Sequence, residues 1–482
     1  MSLSHALSNA LSGLTASSRM AEIVSANLAN VLTDGYGRRS VDLSAQTIGG
    51  RGGGVTIDGI SRRTDRAMIA DRRTTESALS RQETLAKTLT RLETAVGVTG
   101  DDTALGGRIA ALEQALVAAS ADPGSDIRLA AVVDRFGDVT ATIRSSAKAI
   151  SKLREEADQS IKTQVGTLNA ALKQMESLND DIVRATSRGQ DASALLDHRQ
   201  VVIDQIATIV PIRELDRQNG RIALATLAGT TLIDGAAAGI GFQPSSTITP
   251  DMSFGAGTLS GLTLNGQPVD LGNGIGKLAG GSLGAAFTLR DDTLVTAQAG
   301  LDAVARDLIE RFQNSAVDPT LAIGDAGLLT DSGIAFDPLN AVGLAARIAV
   351  NTAIDPAQGG ALYRLRDGVN AATAGPVGSA VQLDAWLDAL DTPLVLATGG
   401  SAGSASDNAS AFVSGIGATL LSNEADISFT TARFNRFREA ELSLGVDSDE
   451  EMQLLLLIEQ SYAANARVIQ TVESLFQTLM EI

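Results

Sequence analysis

Apolar residues recur at helical spacing at both ends of the chain. In residues 1–31 they lie three or four positions apart along a heptad seam that only Ser17 interrupts: Leu3, Leu7, Ala10, Leu14, Ala21, Val24 and Leu28. The last segment repeats the pattern with bulkier side chains, and Asn465 fills its one polar position: Leu455, Ile458, Tyr462, Ile469, Val472, Phe476 and Leu479. Two such helices can cover one another's apolar faces. The pattern therefore predicts that the terminal helices pair as a coiled coil.

A second apolar row widens the face of each terminal helix. It consists of Leu11, Met20, Ile23 and Val31 near the start, and of Val468, Leu475 and Ile482 near the end. Pairing of two helices alone leaves this row exposed, and exposed apolar surface of that extent is typical of interaction sites. We therefore expect copies of the chain, or similar subunits, to pack on the two helices in a tube.

Helical spacing continues through most of the interior. No proline lies between Pro123 and Pro211, and the spacing predicts a helix over about 125–188, roughly 95 Å long at ~1.5 Å per residue. Other apolar stripes predict helices from about Thr74, over 285–316, and from about Ala411 to the end with one break near 445–447. Residues 211–284 are instead rich in Gly and Thr, and Asn219-Gly220 is typical of a type I′ hairpin turn.

These segments predict a mainly α protein with inserted β modules, in which terminal helices pair as a coiled coil beside a long-helix bundle and outer β domains. A length of 482 residues exceeds what one core usually serves. We expect four parts. They are a terminal helical domain (1–45 with 446–482), a long-helix bundle (46–210 with 285–316 and 409–445), an inserted β domain (211–284) and a mixed outer segment (317–408).

Composition removes several classes of function. The 38 basic and 56 acidic residues give a net charge of −18, which argues against nucleic acid and anionic membranes as partners. Cysteine is absent, and the two histidines, His5 and His198, lie far apart in the sequence. We therefore expect no metal site, no cofactor and no catalytic triad. The start of the chain has no basic region or long apolar run, so we expect neither a cleaved leader nor a membrane span.

Two polar features leave alternatives open. Five arginines cluster in the first part of the chain, either as a solvated face or as a contact for an acidic neighbouring subunit: Arg62, Arg63, Arg66, Arg72 and Arg73. His198, in a helical context, is interpreted as a surface residue that pairs with a neighbouring carboxylate.

Four motifs resemble one known family. Residues 25–38, SANLANVLTDGYGR, which include Asn27, Asn30, Gly35 and Tyr36, resemble the N-terminal signature of the flagellar axial proteins, the rod, hook and hook-associated subunits. Residues 459–471, EQSYAANARVIQT, are similar to the C-terminal signature of that family. The segment ALLDHR at 194–199 and the run from Gly280 to Asp291 resemble the hook-associated junction subunits within it. The resemblance makes these motif residues and the terminal seams the candidate assembly residues.

The resemblance implies a structural subunit that joins hook to filament as a ring at the hook tip. It implies the hook protein, hook-associated protein 3 and copies of the chain as partners. It also implies type III export without a cleaved leader, a chaperone that binds about 440–482, and an extracellular place in the flagellum. Three alternatives stay open: a hook or distal-rod subunit, a filament-associated secreted enzyme with its active site in 211–408, and a surface adhesin.

Overall fold

The computed structural model describes residues 3–48, 51–98, 100–269, 273–396 and 401–481. The helices are α1 (Leu3–Ala29), α2 (Arg66–Val96), α3 (Leu105–Ser120), α4 (Asp126–Ser187), α5 (Ser193–Ile209), α6 (Gly281–Thr288), α7 (Leu294–Phe312), α8 (Leu344–Arg347), α9 (Tyr363–Asp367), α10 (Val381–Asp391), α11 (Ala405–Ser443) and α12 (Ser448–Met480). The strands are β1 (Arg39–Ile48), β2 (Arg51–Arg62), β3 (Ile212–Asp216), β4 (Ile222–Thr226), β5 (Thr231–Asp234), β6 (Ala236–Ala237), β7 (Ile240–Gly241), β8 (Thr263–Leu264), β9 (Gln267–Pro268), β10 (Leu329–Asp331) and β11 (Ile348–Val350).

All described strands pair antiparallel, in small sheets ordered β1-β2, β3-β4-β5-β6, β7-β8-β9 and β10-β11. The β1-β2 hairpin pairs Arg39 with Arg62 at its base. Helices dominate the remainder of the described chain. The prediction of a mainly α protein with inserted β modules is therefore confirmed.

The long interior helix forms without a break. Helix α4 has 62 residues and buries an apolar side chain at nearly every third or fourth position. Gly137 and Gly166 both remain helical, and the space next to each Cα is open. Asp126 in the first turn and Arg184 in the last complement the helix dipole. The predicted helix over 125–188 is confirmed.

A first hydrophobic core lies along the N-terminal half of α4. Its aromatic centre is a run of edge-to-face contacts, with Phe136 5.3 Å from Phe312 and Phe312 5.7 Å from Trp386 between ring centroids. Trp386 is fully buried, and its Nε1 donates to the Leu365 carbonyl at 3.0 Å. Helices α3, α7, α10 and the start of α11 complete this core together with side chains from 321–390. The division into four domains stays a prediction.

A second core lies along the C-terminal half of α4, between α5, α6 and the β3–β5 sheet. The β3-β4 hairpin turns at Asn219 (φ 59°) and Gly220 (φ 76°), and both left-handed residues fit the predicted type I′ turn. Asn179 of α4 holds this hairpin, because its Nδ2 donates to the Ile222 carbonyl at 2.8 Å.

One buried arginine lies where the two cores meet. A single π turn (Leu289–Thr293) separates α6 from α7 and carries Arg290, which is fully buried. Arg290 Nη1 donates to Asp158 Oδ1 at 2.7 Å, and its guanidinium lies 4.8 Å from the Phe287 ring centroid. Asp158 is buried as well, so this ion pair fixes α4 against the α6–α7 connection.

Capping side chains shift two helix starts from their predicted positions. Helix α2 begins at Arg66 and not near Thr74, because Asp65 accepts hydrogen bonds from the backbone N–H groups of Ala67 and Met68. Helix α11 begins before Ala411, at a capping box formed by Ser404 and Asp407. The predicted break near 445–447 is confirmed: α11 ends at Ser443 and Asp447 caps α12.

Truncation of a buried side chain of α4 should destabilise the protein. Ile150 is fully buried, whereas Ile127 on the same helix is 85% exposed. We expect Ile150→Ala to lower the free energy of unfolding by about 2–5 kcal/mol, because it removes buried methyl groups and leaves a cavity. Ile127→Ala, as the control, should change it by less than about 0.5 kcal/mol. Chemical denaturation followed by circular dichroism measures both, and equal midpoints for the two variants would contradict the assignment of the core.

Candidate functional site

The two terminal helices, α1 and α12, lie side by side and run in opposite directions; we call them the terminal pair. Ser17 Oγ lies 3.4 Å from Ser461 Oγ, in the middle of the contact. A Cβ on Gly13 would lie 2.7 Å from Asn465 Nδ2, so a larger residue there would displace the Asn465 side chain. Ser17 therefore faces Ser461 and Asn465 faces Gly13, so the polar positions of the two predicted seams both lie in the contact but do not meet one another. Small residues of α1 bring the two backbones close together.

The structure divides the predicted assembly residues into three groups by exposure. Buried are Val24, Asn27, Ile458 and Val472. Half-buried are Leu3, Leu14, Leu28, Asn30, Gly35, Tyr36, Leu455, Asn465 and Ile469. Exposed are Leu7, Leu11, Tyr462, Val468, Phe476 and Leu479.

The seam between the terminal helices is narrower than the heptad pattern predicts. Leu7 and Phe476, which the pattern places in the seam, are 37% and 41% exposed. Ala10, which the pattern places in the seam, and Ala16, which it does not, lie in the contact at 4% and 2% exposure. The contact also buries Val24, Ile458 and Val472, whereas other large side chains such as Leu11 and Leu457 stay exposed. These exposed residues form the apolar flank of the terminal pair, which no described residue covers. Ile482 of the second row lies outside the described residues.

Asn27 connects the end of α1 to the loop and strand that follow. Its Nδ2 donates to the Arg39 carbonyl at 2.9 Å and to Glu451 Oε2 at 3.1 Å. Its Oδ1 accepts from Tyr36 OH at 2.9 Å and from Arg39 N at 3.0 Å. Asn27 is 1% exposed, and these four bonds use its whole hydrogen-bonding capacity. No shorter or aliphatic side chain reproduces this set.

Glu451 supplies the C-terminal half of the same network. It lies in the first turn of α12 and is 1% exposed, and its Oε1 accepts from Arg38 Nε at 2.7 Å. The neighbouring Glu450 accepts from Arg38 Nη1 at 2.7 Å but is exposed. Burial raises the pKa of Tyr36, against the nearby Arg39 guanidinium and with the support of the Asp197 and Glu451 carboxylates.

Asp197 of α5 binds the segment 37–39, which follows α1, from the side opposite Glu451. Its Oδ1 accepts from Gly37 N at 3.0 Å and from Arg62 Nε at 2.6 Å, and its Oδ2 accepts from Arg39 Nη2 at 2.8 Å. Gly35 has φ 76°, and a Cβ there would lie 2.7 Å from Val201 Cγ2, so the close approach to α5 requires glycine. We call the set of Asn27, residues 35–39, Arg62, Asp197 and Glu451 the joint. It links the terminal pair to the rest of the protein.

A second ion cluster joins α2, α5 and α11 next to the joint. Arg72 donates to Glu76 at 2.7 Å, to Asp204 at 2.9 Å and to Glu441 at 2.5 Å. Arg73 is buried and donates to Asp204 and Glu214. Burial lowers the pKa of Arg73 and raises the pKa of Glu76, against the attraction of the opposite charges.

Both predicted interpretations of the arginine cluster are wrong for three of its members. Arg62, Arg72 and Arg73 do not form a solvated face, and they are not available to an acidic neighbouring subunit, because acids of the same chain already pair with them. Those acids come from α5, β3 and α11, which lie more than a hundred residues away in sequence. Arg66 pairs with Asp216, and both of these side chains are exposed.

His198 is exposed, as predicted, but its partner is an amide and not a carboxylate. Its Nε2 lies 2.9 Å from Gln174 Nε2 of α4. Within the described ranges, no three His, Asp or Glu side chains are grouped so that they could hold a metal ion. Among the same residues, no helix has the length and apolar character needed to cross a membrane.

Sequence reasoning missed the roles of Arg38 and Glu451. Three acidic residues begin α12, namely Asp449, Glu450 and Glu451, and nothing in their order shows which one is buried. The one usable indication was the helical phase, since Glu451 lies one heptad before the predicted seam residue Ile458 and both are buried. A single acid in phase with an apolar seam is typical of a buried ion pair.

Comparisons with known proteins agree with the motifs. A family model described as "Flagellar hook-associated protein FlgK helical domain" matches residues 89–318, and one described as "Flagellar basal body rod FlgEFG protein C-terminal" matches residues 443–482. Flagellar hook-associated protein 1 of Escherichia coli is 26% identical, and the match covers 100% of both chains. The same protein of Bacillus subtilis is 26% identical over 43% of this chain and 43% of its own length.

A solved structure is also similar over part of the chain. It is the flagellar hook junction protein FlgK from Burkholderia pseudomallei, with 18% identity and a TM-score of 0.44. The similarity covers 55% of this chain and 47% of that one.

Removal of the buried carboxylate should loosen the terminal pair. Glu451→Ala leaves Asn27 Nδ2 and Arg38 Nε without their acceptor, so we expect amide hydrogen exchange in α1 to accelerate on the order of a hundredfold, equivalent to ~3 kcal/mol. Glu450→Ala is the matched control, because Glu450 contacts the same arginine from an exposed position and its removal should cost less than about 1 kcal/mol. Hydrogen exchange with mass spectrometry measures both, and equal protection in the two variants would refute the buried role.

The acid cluster beside Arg72 should make stability pH-dependent through Glu76. A carboxyl whose pKa is raised on folding is stabilised in its protonated form, so its contribution is fully present below the unfolded pKa of ~4.5 and is lost as pH rises through the folded value. We therefore expect Glu76→Gln to gain stability relative to the unsubstituted protein as the pH increases from 4 to 7. Denaturation midpoints at both pH values test this. A relative loss at pH 7 would show that the attraction to Arg72 outweighs burial.

Proposed function

We propose that the chain is a member of the flagellar hook-associated protein 1 family and that it joins the flagellar hook to the filament. It is a structural subunit and not an enzyme. The observation that carries the proposal is the terminal pair, whose outer apolar surface no described residue covers, at the end of a chain that matches the Escherichia coli relative over its whole length. The function is packing, and the residues that perform it lie on α1 and α12.

Assembly uses the exposed flank of the terminal pair. Leu11, Leu457 and Leu479 are 57%, 62% and 60% exposed, and soluble monomers rarely keep so many large apolar residues on one surface. We infer that neighbouring subunits cover this flank and that α1 and α12 then complete a coiled coil. Contacts between unlike faces of identical subunits close into a ring when the rotation permits. The ring forms at the hook tip.

Different proteins meet the two sides of that ring. We infer that the hook protein lies on one side and hook-associated protein 3 on the other, with copies of the chain in between. All of these contacts are of one physical kind, since apolar helix flanks pack together and expel water. The joint supports this arrangement, because it fixes the direction in which the terminal pair leaves the protein.

Export precedes assembly and explains the exposed flank of α12. The chain leaves the cell through the flagellar type III apparatus and works outside the cell. Before export, a cytosolic chaperone binds about 440–482, where Leu456 and Met480 are 57% and 85% exposed and would otherwise aggregate. The absence of cysteine is compatible with passage of an unfolded chain.

A strain that lacks this chain tests the function. We expect hooks without filaments in electron micrographs, no motility, and monomeric flagellin in the culture medium, because the filament then has no subunit through which to attach to the hook. Intact filaments in that strain would contradict the proposal. Expression of the unsubstituted chain from a plasmid should restore filaments and motility.

Complementation with variants tests the apolar flank directly. Leu475→Asp combined with Leu479→Asp should fail to restore filaments, because the charges block burial of the flank while both sites are exposed in the isolated chain. Leu339→Asp, at a 92% exposed site far from the terminal pair, is the control and should restore them. Circular dichroism verifies that both proteins fold. Full rescue by the double variant would exclude the flank from assembly.

A further inference from the structure

A second exposed apolar surface lies at the start of α4, on elements other than the terminal pair. Its four large side chains come from α3, from α4 and from the segment that leads into α10: Val117, Ile127, Val377 and Val381, which are 57%, 85%, 62% and 78% exposed. We call these four residues the distal patch. A Cβ on Gly124 would lie 2.8 Å from Val377 Cγ1, so the segment before α10 lies against the turn between α3 and α4. Large apolar side chains that gather on a surface are typical of an interaction site.

A side-chain contact between α3 and α10 holds the distal patch together. Ser120 Oγ, at the end of α3, donates to Asp384 Oδ1, in the first turn of α10. Val117 lies one turn before Ser120, and Val381 lies one turn before Asp384. Each valine is therefore within one helical turn of the same hydrogen bond, and the patch is continuous across the two helices.

Carboxylates form a row along the exposed side of α10, next to the distal patch. Asp384, Asp388 and Asp391 recur at helical spacing and are exposed. Glu113 of α3 faces the end of this row. Burial raises the pKa of Glu113, and nearby carboxylates, Asp391 foremost, raise it further against the weaker effect of the Arg311 guanidinium. Negative charge is therefore dense at this end of α10.

Basic residues scarcely occur around the row. Residues 113–128 and 376–391 together contain six acidic residues and one basic residue, Arg128. Arg128 lies 3.8 Å from Asp122 and so is already engaged. Among the residues that the structure describes, none of the three aspartates of α10 forms an ion pair. The surface therefore combines exposed apolar side chains with negative charge that the chain itself does not neutralise.

We propose that the distal patch and the aspartate row of α10 bind a cationic amphipathic helix of a partner protein. Apolar side chains of that helix cover the distal patch, and lysines or arginines along its edge pair with Asp384, Asp388 and Asp391. A helix fits because the three aspartates lie on successive turns of α10, so a helix laid along α10 meets them at its own spacing of three and four residues. This contact goes beyond the proposed function, since it uses neither α1 nor α12.

Site-specific photo-cross-linking of the full chain tests the proposal. p-Benzoylphenylalanine replaces Val381 or, as the control, Leu339, which is 92% exposed and lies outside the distal patch. The probe is a synthetic amphipathic helix of leucine and lysine, and its counterpart carries glutamate in place of lysine. At position 381 we expect at least about tenfold more adduct with the lysine peptide than with the glutamate peptide, because only lysine complements the aspartates. Position 339 should give correspondingly little adduct with either peptide.

Three results overturn the inference. Equal adduct from positions 381 and 339 would show that the distal patch has no preference for the peptide. Equal adduct from the two peptides would show that the aspartates do not contribute. A covalent dimer of the chain in place of the adduct would make a second copy the occupant. None of these results touches the proposed function, which the filaments of the deletion strain test separately.

Neutral variants measure the contribution of the aspartate row. Asp384→Asn with Asp388→Asn, in the chain that cross-links from position 381, should lower the adduct with the lysine peptide about tenfold, because two of the opposite charges are removed. An asparagine at 384 still offers an oxygen to Ser120 Oγ, so the contact between α3 and α10 is kept.

The matched control removes two charges elsewhere. Glu424→Gln with Asp426→Asn changes the net charge equally at exposed sites of α11 and should leave the adduct within about twofold. Circular dichroism verifies that both double variants fold. Equal adduct from the two double variants would refute the role of the aspartate row.

Discussion

Buried polar groups at the joint require partners from both ends of the chain. Asn27 and Arg38 come from the first forty residues, whereas their acceptor Glu451 comes from the last helix. A buried donor without an acceptor costs about 1–3 kcal/mol, and more when it is charged. The N-terminal part therefore reaches its lowest free energy only when α12 is in place. This requirement makes the terminal pair one unit, although more than four hundred residues separate its halves.

The joint also explains how the terminal pair, with its exposed apolar flank, is held in a fixed orientation on the rest of the protein. Asp197 and Arg62 tie the β1-β2 hairpin to α5, and α5 packs along α4 in the second core. Each hydrogen bond in this chain of contacts has a fixed direction, so the terminal pair leaves the body at a defined angle. Apolar contacts alone would not set that angle, because the hydrophobic effect is not directional. In the proposed assembly, the polar network sets this direction and burial of the apolar flank supplies the free energy of association.

Sequence periodicity was sufficient for the long helices but not for the helices within 317–408 or for the polar contacts. The spacing of apolar residues predicts α4 to within one residue at each end, and the dipeptide Asn219-Gly220 predicts a hairpin turn, because both depend on local backbone preferences. Helix starts such as Arg66 were displaced by a single capping side chain. The pairing of Arg72 with Glu441 joins residues 369 positions apart, and no local rule selects one acid among 56. Long-range ion pairs of this kind become visible only once the fold brings the two side chains together.

The heptad pattern of the terminal helices matches some of their buried positions and not others. Val24 and Val472 are buried where the seam places them, yet Leu7 and Phe476 are exposed. A heptad pattern identifies residues that need apolar surroundings, and it does not say whether those surroundings come from the same chain. Alanine, glycine and serine of α1 let the two helices pair closely beside the buried Val24, Ile458 and Val472, and other large apolar side chains stay exposed. In the proposed assembly, these exposed side chains contact the neighbouring subunits.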